Sequence, residues 1–304
     1  MFRTSWLARF VSFLLAGLPL AGLLFAVPAA AKLRVGASTQ DLASIAASVG
    51  GDLVEVFAIA RPSSDPHRIE ALPSYMVSVS RAQVFLKVGL GLDQWADAIV
   101  DGSRNAKLAV VDCSAGVTVL EKPAGKVDAS MGDVHPLGNP HYWLDPRNGG
   151  VVAKNAAEAF ARADPANAAT YRARAAAFAT EAQAAWEKLA LRAKALPSHL
   201  MFTYHRSWPY FADAFGLEVV DTVEPVPGIP PTARHLADLV EQAKARKVRL
   251  LLQEPYFASD SGHFLQRQAG VSPVVQATSC AESKAGSYLK HFDEILTAME
   301  GSAR

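Results

Sequence analysis

Three histidines stand where the chain around them is stiff: His67 in SDPHRIE (64–70), His141 in NPHYWLDP (139–146) and His205 in YHRSWPYF (204–211). A fourth polar residue, Glu254, closes the apolar run VRLLLQE (248–254) just before Pro255. Three neutral imidazoles and one carboxylate suit Zn²⁺, because the nitrogens match the metal and the carboxylate offsets one of its two charges. An oxygen-rich set would suit Mn²⁺ better. Successive histidines lie 74 and 64 residues apart, which excludes a compact zinc finger with its close ligand pairs. Such a site must be assembled from distant loops. Prolines before His67 and His141 restrict the backbone and lower the entropic cost of presenting a ligand. Each residue also has a plainer reading. A histidine after a strand can be a polar cap or a surface group, and Glu254 can bond backbone N–H groups of the EPVPGIPP loop without touching a metal. Near the candidates, Asp65 is placed to accept from a histidine N–H, and Asp145 equally to cap the next helix. His135, six residues before His141, is a candidate loose capture ligand. Tyr142, Trp143, Trp208, Tyr210 and Phe211 would either keep water from the site or pack the core.

The elements that must position these side chains alternate. LRVGAS (33–38), VEVFAI (54–59), QVFLKVG (83–89) and KLAVVD (107–112) read as strands, with helices over 41–50 and 71–82. Near-continuous apolar strands fit a parallel sheet covered on both faces, so the fold class is α/β. A polar stretch with glycine and proline at 113–140 reads as loop, followed by a helix from about 148 to 163. Asp164 then Pro165 form an N-cap pattern. From 166 to 196 there is no glycine and no internal proline, and alanine dominates among strong helix formers. Thirty-one residues give roughly 45 Å of helix, long enough to run between two lobes; a long surface helix on one lobe is the alternative. The alternation then repeats: strands at 199–204, 217–222, 248–254 and 272–276, helices at 207–216, 232–247, 259–269 and 286–299. The expected organisation is an N-terminal lobe over 32–165, a linking helix over 166–196 and a C-terminal lobe over 197–304. In open α/β sheets ligands sit beyond the C-terminal strand ends, where His67, His205 and Glu254 all fall.

Residues 1–31 carry a weakly basic start (Arg3, Arg9), an apolar run from Phe10 to Val27 and the exit VPAAAK. That pattern predicts a secretory signal cleaved after Ala30 or Ala31; a transmembrane anchor is the competing reading. Removing the segment takes away two arginines and no acid, turning a formal charge of +1 into −1. That is not the balance of a nucleic-acid binder. Cys113 and Cys280, 167 residues apart, can form a disulfide in an oxidising compartment or stay as buried thiols.

SDPHRIEALPS, QVFLKVGLGLDQW, NPHYWLDP, YHRSWPYFADAFGLEV and EPVPGIPPTARHLADLV, in this order over 64–240, resemble the metal-binding solute-binding proteins of ABC importers for zinc and manganese. The resemblance implies two lobes joined by one long helix, metal held between them, periplasmic location and delivery to a membrane permease rather than catalysis, by a chain expected to be a monomer. It maps His67, His141 and His205 onto the family's first three ligands. The third is histidine in zinc-type members and usually glutamate in manganese-type members. The fourth is usually an aspartate in the last lobe, but here that region reads VVQATSCAESK, without one. Glu254 is the expected replacement, with Cys280, Glu282 or water as further options. The long His-rich loop of many zinc-type members is also missing. Other functions compatible with the residues are a zinc hydrolase with three histidines and an open water position, and a binding protein for Mn²⁺ or a metal chelate. Neither HExxH nor a Gly-rich phosphate loop is present.

Overall fold

Short runs of four or five residues become strands, and the most apolar of them, at 33–37, 84–87, 200–203 and 250–253, are almost entirely buried. In the computed structural model, which describes Phe2 and residues 31–128 and 131–302, the strands form two parallel sheets. β1 (Leu33–Ala37), β2 (Val54–Ala58), β3 (Val84–Lys87) and β4 (Ala109–Asp112) make one, in the order β2-β1-β3-β4. β5 (Leu200–Thr203), β6 (Glu218–Thr222), β7 (Leu250–Gln253) and β8 (Ser272–Val275) make the other, in the order β6-β5-β7-β8. The two lobes share one topology. Val35 pairs with Val84 and Met201 with Leu250, and all of β7 is buried. In each sheet the strand order reverses at the first strand. A crevice therefore opens beyond the C-terminal ends of β1 and β3, and likewise of β5 and β7.

The helices are α1 (Gln40–Gly50), α2 (Pro73–Ser80), α3 (Trp95–Ser103), α4 (Asn148–Ala163), α5 (Ala168–Ala193), α6 (Pro209–Phe215), α7 (Ala233–Arg246), α8 (Asp260–Ala269) and α9 (Ser287–Ser302). Helix α3 is not among the elements expected from the sequence. Two aspartates and a glycine in nine residues make it a poor helix former. Packing decides it, since Ala96 and Ile99 are buried with Ile59, Val79 and Phe85.

The linking helix is shorter than the expected 166–196. Its 26 residues span about 39 Å. Residues 165–167 form a 3₁₀ turn, and Asp164 accepts from Asn167 Nδ2 (2.7 Å) and the Tyr171 hydroxyl (2.8 Å) rather than capping a backbone N–H with its side chain. Helix α5 packs along α4 and against α1, α6 and α9. Its inward residues, among them Tyr171, Phe178 and Leu189, belong to one hydrophobic core shared by both lobes, with Val84 and Trp143 from the first and Met201, Phe211 and Phe292 from the second.

Both cysteines are buried and free, so no disulfide ties the lobes. Hydrogen bonds do so instead. Trp143 Nε1 donates to the Thr278 carbonyl (2.7 Å), the Tyr288 hydroxyl to the Trp143 carbonyl (2.7 Å), Ser44 Oγ to the Lys284 carbonyl (2.6 Å), and Cys280 N to Asp41 Oδ1 (3.0 Å). The export signal expected over 1–31 lies, Phe2 and Ala31 apart, outside the described residues. Among the described residues no helix is long and apolar enough to cross a membrane.

Candidate metal centre

Two of the histidines are presented by the same three-residue device. In Asp65-Pro66-His67, Asp65 Oδ1 accepts from the His67 backbone N–H (3.0 Å) and from His67 Nδ1 (2.8 Å). In Asn139-Pro140-His141, Asn139 Oδ1 accepts from the His141 backbone N–H and from His141 Nδ1, both at 3.0 Å. Each is an Asx turn closed over a proline, with the imidazole folded back onto the Asx oxygen. The amide of Asn139 can point only one way, because its Nδ2 donates to Glu121 Oε2 (3.0 Å) and the Arg206 carbonyl (2.8 Å). His205 comes two residues beyond the end of β5, and its Nδ1 donates to Glu224 Oε2 at 2.7 Å.

These three acceptors fix the tautomer. A carboxylate or amide oxygen can only accept, so in the neutral form of each ring Nδ1 carries the proton and Nε2 keeps a lone pair. Nε2 of His67 and of His141 are buried without a hydrogen-bond partner. The three rings face one another, with centroids 5.1 Å (67–141), 5.2 Å (67–205) and 5.9 Å (141–205) apart. Tetrahedral zinc at about 2.0 Å from each nitrogen puts imidazole centroids about 5.2 Å apart. The prospective ligand atoms of His67, His141 and His205 all lie within 4.8 Å of one another. Contraction to about 3.3 Å between nitrogens would complete such a site.

The scaffold holds the ligand loops from several sides. Trp95 Nε1 donates to the Pro66 carbonyl (2.8 Å), and the Tyr142 hydroxyl donates to the Val88 carbonyl beyond β3 (2.8 Å). The Tyr210 hydroxyl donates to the Asn139 carbonyl (2.9 Å), linking the second ligand loop to α6. Tyr142, Trp143, Trp208, Tyr210 and Phe211 are all buried in the shared core.

Burial, then the charges of His67, His205 and His135, push the His141 pKa well below its ordinary value. It is therefore neutral, as ligation requires, at physiological pH. Burial works against the charged form of His205 as well, but the Glu224 hydrogen bond and the charges of Glu254, Glu224 and Asp65 outweigh it and raise that pKa. Burial likewise opposes the charge on Asp65, and the His67 hydrogen bond and charge overcome it, leaving Asp65 below the usual carboxylate range.

Glu254 is fully buried just beyond β7. Its Oε1 accepts from Trp208 Nε1 (3.0 Å), while its Oε2 has no partner. Burial pushes its pKa up to about 7 against the pull of the His205 charge and of the Trp208 hydrogen bond. It lies outside the three-histidine group defined by the 4.8 Å separation. His135 stacks on His67 with centroids 5.4 Å apart and planes 27° from parallel. With His141 and His205 it lines a cavity of about 340 Å³ that opens onto the cluster. Burial and the charges of His67 and His205 bring its pKa down to about 4.

Asp145 is turned away, bonding the Arg147 backbone N–H (2.8 Å) and guanidinium ahead of α4. Cys280 Sγ donates to the Glu282 carbonyl, and the Glu282 carboxylate pairs with Lys284. Sequence reasoning singled out Asp65 but missed Asn139 and Glu224. The repeated Asx-Pro-His spacing was a usable signal for Asn139. None existed for Glu224, 19 residues from its histidine.

Comparison with known proteins places these features among relatives. The family described as ZnuA, zinc-uptake complex component A, periplasmic, matches residues 35–301. The iron-binding protein YfeA of Yersinia pestis is 27% identical over 221 residues, 71% of this chain and 68% of that protein. The manganese ABC transporter substrate-binding lipoprotein PsaA of Streptococcus pneumoniae is 26% identical over 239 residues, 73% of this chain and 72% of that protein. Among solved structures, a crystal structure of ZnuA superimposes with a TM-score of 0.78 at 25% identity, covering 90% of this chain and all of the other. The Pseudomonas aeruginosa protein FpvC in complex with Mn²⁺ does so with a TM-score of 0.74 at 25% identity, covering 90% of this chain and 98% of the other.

Proposed function

This chain belongs to the family of the periplasmic zinc-uptake complex component A, and on that premise we propose that it captures Zn²⁺ through Nε2 of His67, His141 and His205 and delivers it to a membrane ABC permease. The general role, periplasmic capture of a divalent metal for import rather than catalysis, comes with the family. The observation that supports zinc and these ligands is the convergence of three imidazoles whose Nδ1 protons are each tied down. Relatives are named for iron, manganese and zinc, so the donor set must discriminate. Three nitrogens and one buried carboxylate favour zinc over manganese. Tying each Nδ1 to an oxygen raises the basicity of Nε2 and fixes the ring before the metal arrives. Glu254 takes part as the site's anionic group. Its free Oε2 is costly to leave charged without a partner, and a nearby cation lowers its pKa.

Zinc titration of the chelator-stripped protein tests this reading. One Zn²⁺ per chain is expected, outcompeting Mn²⁺, with His141→Ala weakening zinc at least 100-fold while circular dichroism stays unchanged. A wild type that binds no zinc, or a His141→Ala chain that binds it equally well, overturns the proposal.

A further inference from the structure

We propose that His135 supplies a fourth imidazole to the metal, so that the ion is held by four nitrogens while Glu254 neutralises charge from behind. This rests on the three-histidine reading above. Glu254 is anchored to Trp208 by one oxygen, and it is not among the residues lining either cavity that opens onto the cluster. His135 lines the larger of those cavities together with His141 and His205. Its Nε2 is buried and has no hydrogen-bond partner, a condition it shares with Nε2 of His67 and His141. A buried imidazole nitrogen without a partner is unfavourable unless something arrives to meet it. The His67–His135 centroid separation of 5.4 Å matches the roughly 5.2 Å between two imidazoles on one tetrahedral zinc. Like Glu254, His135 lies outside the group whose ligand atoms fall within 4.8 Å of one another, so its ring must move inward toward His141 and His205 to close the fourth position.

The backbone around His135 is built for that placement. Gly91, whose φ of +88° favours glycine, carries the β3–α3 loop beside the ring, within ordinary contact of His135 Nδ1. Two residues earlier, Asp133 is held by both lobes: its N–H donates to the Pro227 carbonyl of the second lobe (2.9 Å), and its carboxylate accepts from Arg68 Nη2 of its own lobe (3.0 Å). Gly132 (φ +65°) and Gly228 (φ +78°) make the clasp possible, since a Cβ at either position would run into the Pro227 carbonyl or the Asp133 carboxylate. The segment that carries His135 is thereby seated across the mouth of the site by contacts to both lobes.

X-ray absorption at the zinc edge on the loaded wild-type protein, with a Co²⁺-substituted visible spectrum, tests the assignment. Four imidazoles are expected, with an intense tetrahedral cobalt band. His135→Ala should lose one imidazole, weaken zinc at least 10-fold and change the cobalt spectrum. Gly132→Ala, which drives a Cβ into the Pro227 carbonyl, displaces the clasp and removes no ligand, should weaken zinc in the same direction. Three imidazoles in the wild type, with His135→Ala unchanged in affinity and spectrum, overturn the proposal and leave the three-histidine reading standing. An oxygen scatterer that disappears in Glu254→Gln would likewise reassign the fourth position to Glu254. A wild type that takes up neither zinc nor cobalt ends both readings.

Discussion

Replacing Glu254 by glutamine separates what the site does for metal from what it costs the fold. With a chelator present the folded chain holds the Glu254 carboxyl at about 7, against 4.5 for an unburied glutamate, chiefly through burial. The folded state thus binds this proton more tightly than the unfolded state. The stability it contributes is complete below pH 4.5 and is lost as the pH rises through 7. At about 1.4 kcal/mol per pH unit, the penalty in the wild type at pH 8 is roughly 3 kcal/mol. Glutamine keeps an oxygen to accept from Trp208 Nε1 and does not titrate. Urea unfolding followed by tryptophan fluorescence should therefore find Glu254→Gln close to wild type at pH 4.5. At pH 8 it should be more stable by roughly 3 kcal/mol, on the order of 1 M urea in midpoint. Zinc should reverse the ranking, because the ion uses the charge that the metal-free fold pays to bury. A stability difference that stays flat between pH 4.5 and 8 would refute the argument that burial without a partner sets this carboxyl's behaviour.

Asp65→Asn and Glu224→Gln should each weaken zinc 10- to 100-fold while leaving the rings in place, as calorimetric titration would read; unchanged affinity would mean that the Nδ1 partners do not tune the ligands. Zinc affinity should fall as the pH drops through the imidazole range, beginning above the ordinary histidine value because the raised His205 pKa lets protons compete early for its Nε2, and competition with a chromogenic chelator across pH 5–8 would measure it. Because one core and α5 run through both lobes, closure on metal should be small: a radius-of-gyration change of several ångströms in solution scattering would contradict it.

The α/β alternation and the presentation of His67 and His141 were legible in the sequence because both depend on short-range rules, whereas His205 was marked only by its place after an apolar strand. Strands buried on both faces must be apolar throughout, and an Asx-Pro-His triplet fixes its own turn and its own imidazole within three residues. Cys113 and Cys280 allowed a bridge on composition alone, and the fold leaves both as buried thiols. Glu224 was beyond reach, because its place beside His205 follows from the pairing of β5 with β6. The ladder runs on past the strands through Val223 N to the Thr203 carbonyl and Glu224 N to the Tyr204 carbonyl, and this sets the carboxylate against the ring. The same holds for Glu254 and His135. The sequence places one at a strand end and the other in a long loop. Only tertiary packing ties Glu254 to Trp208 and stacks His135 on His67, since contacts between residues dozens of positions apart depend on how whole lobes meet.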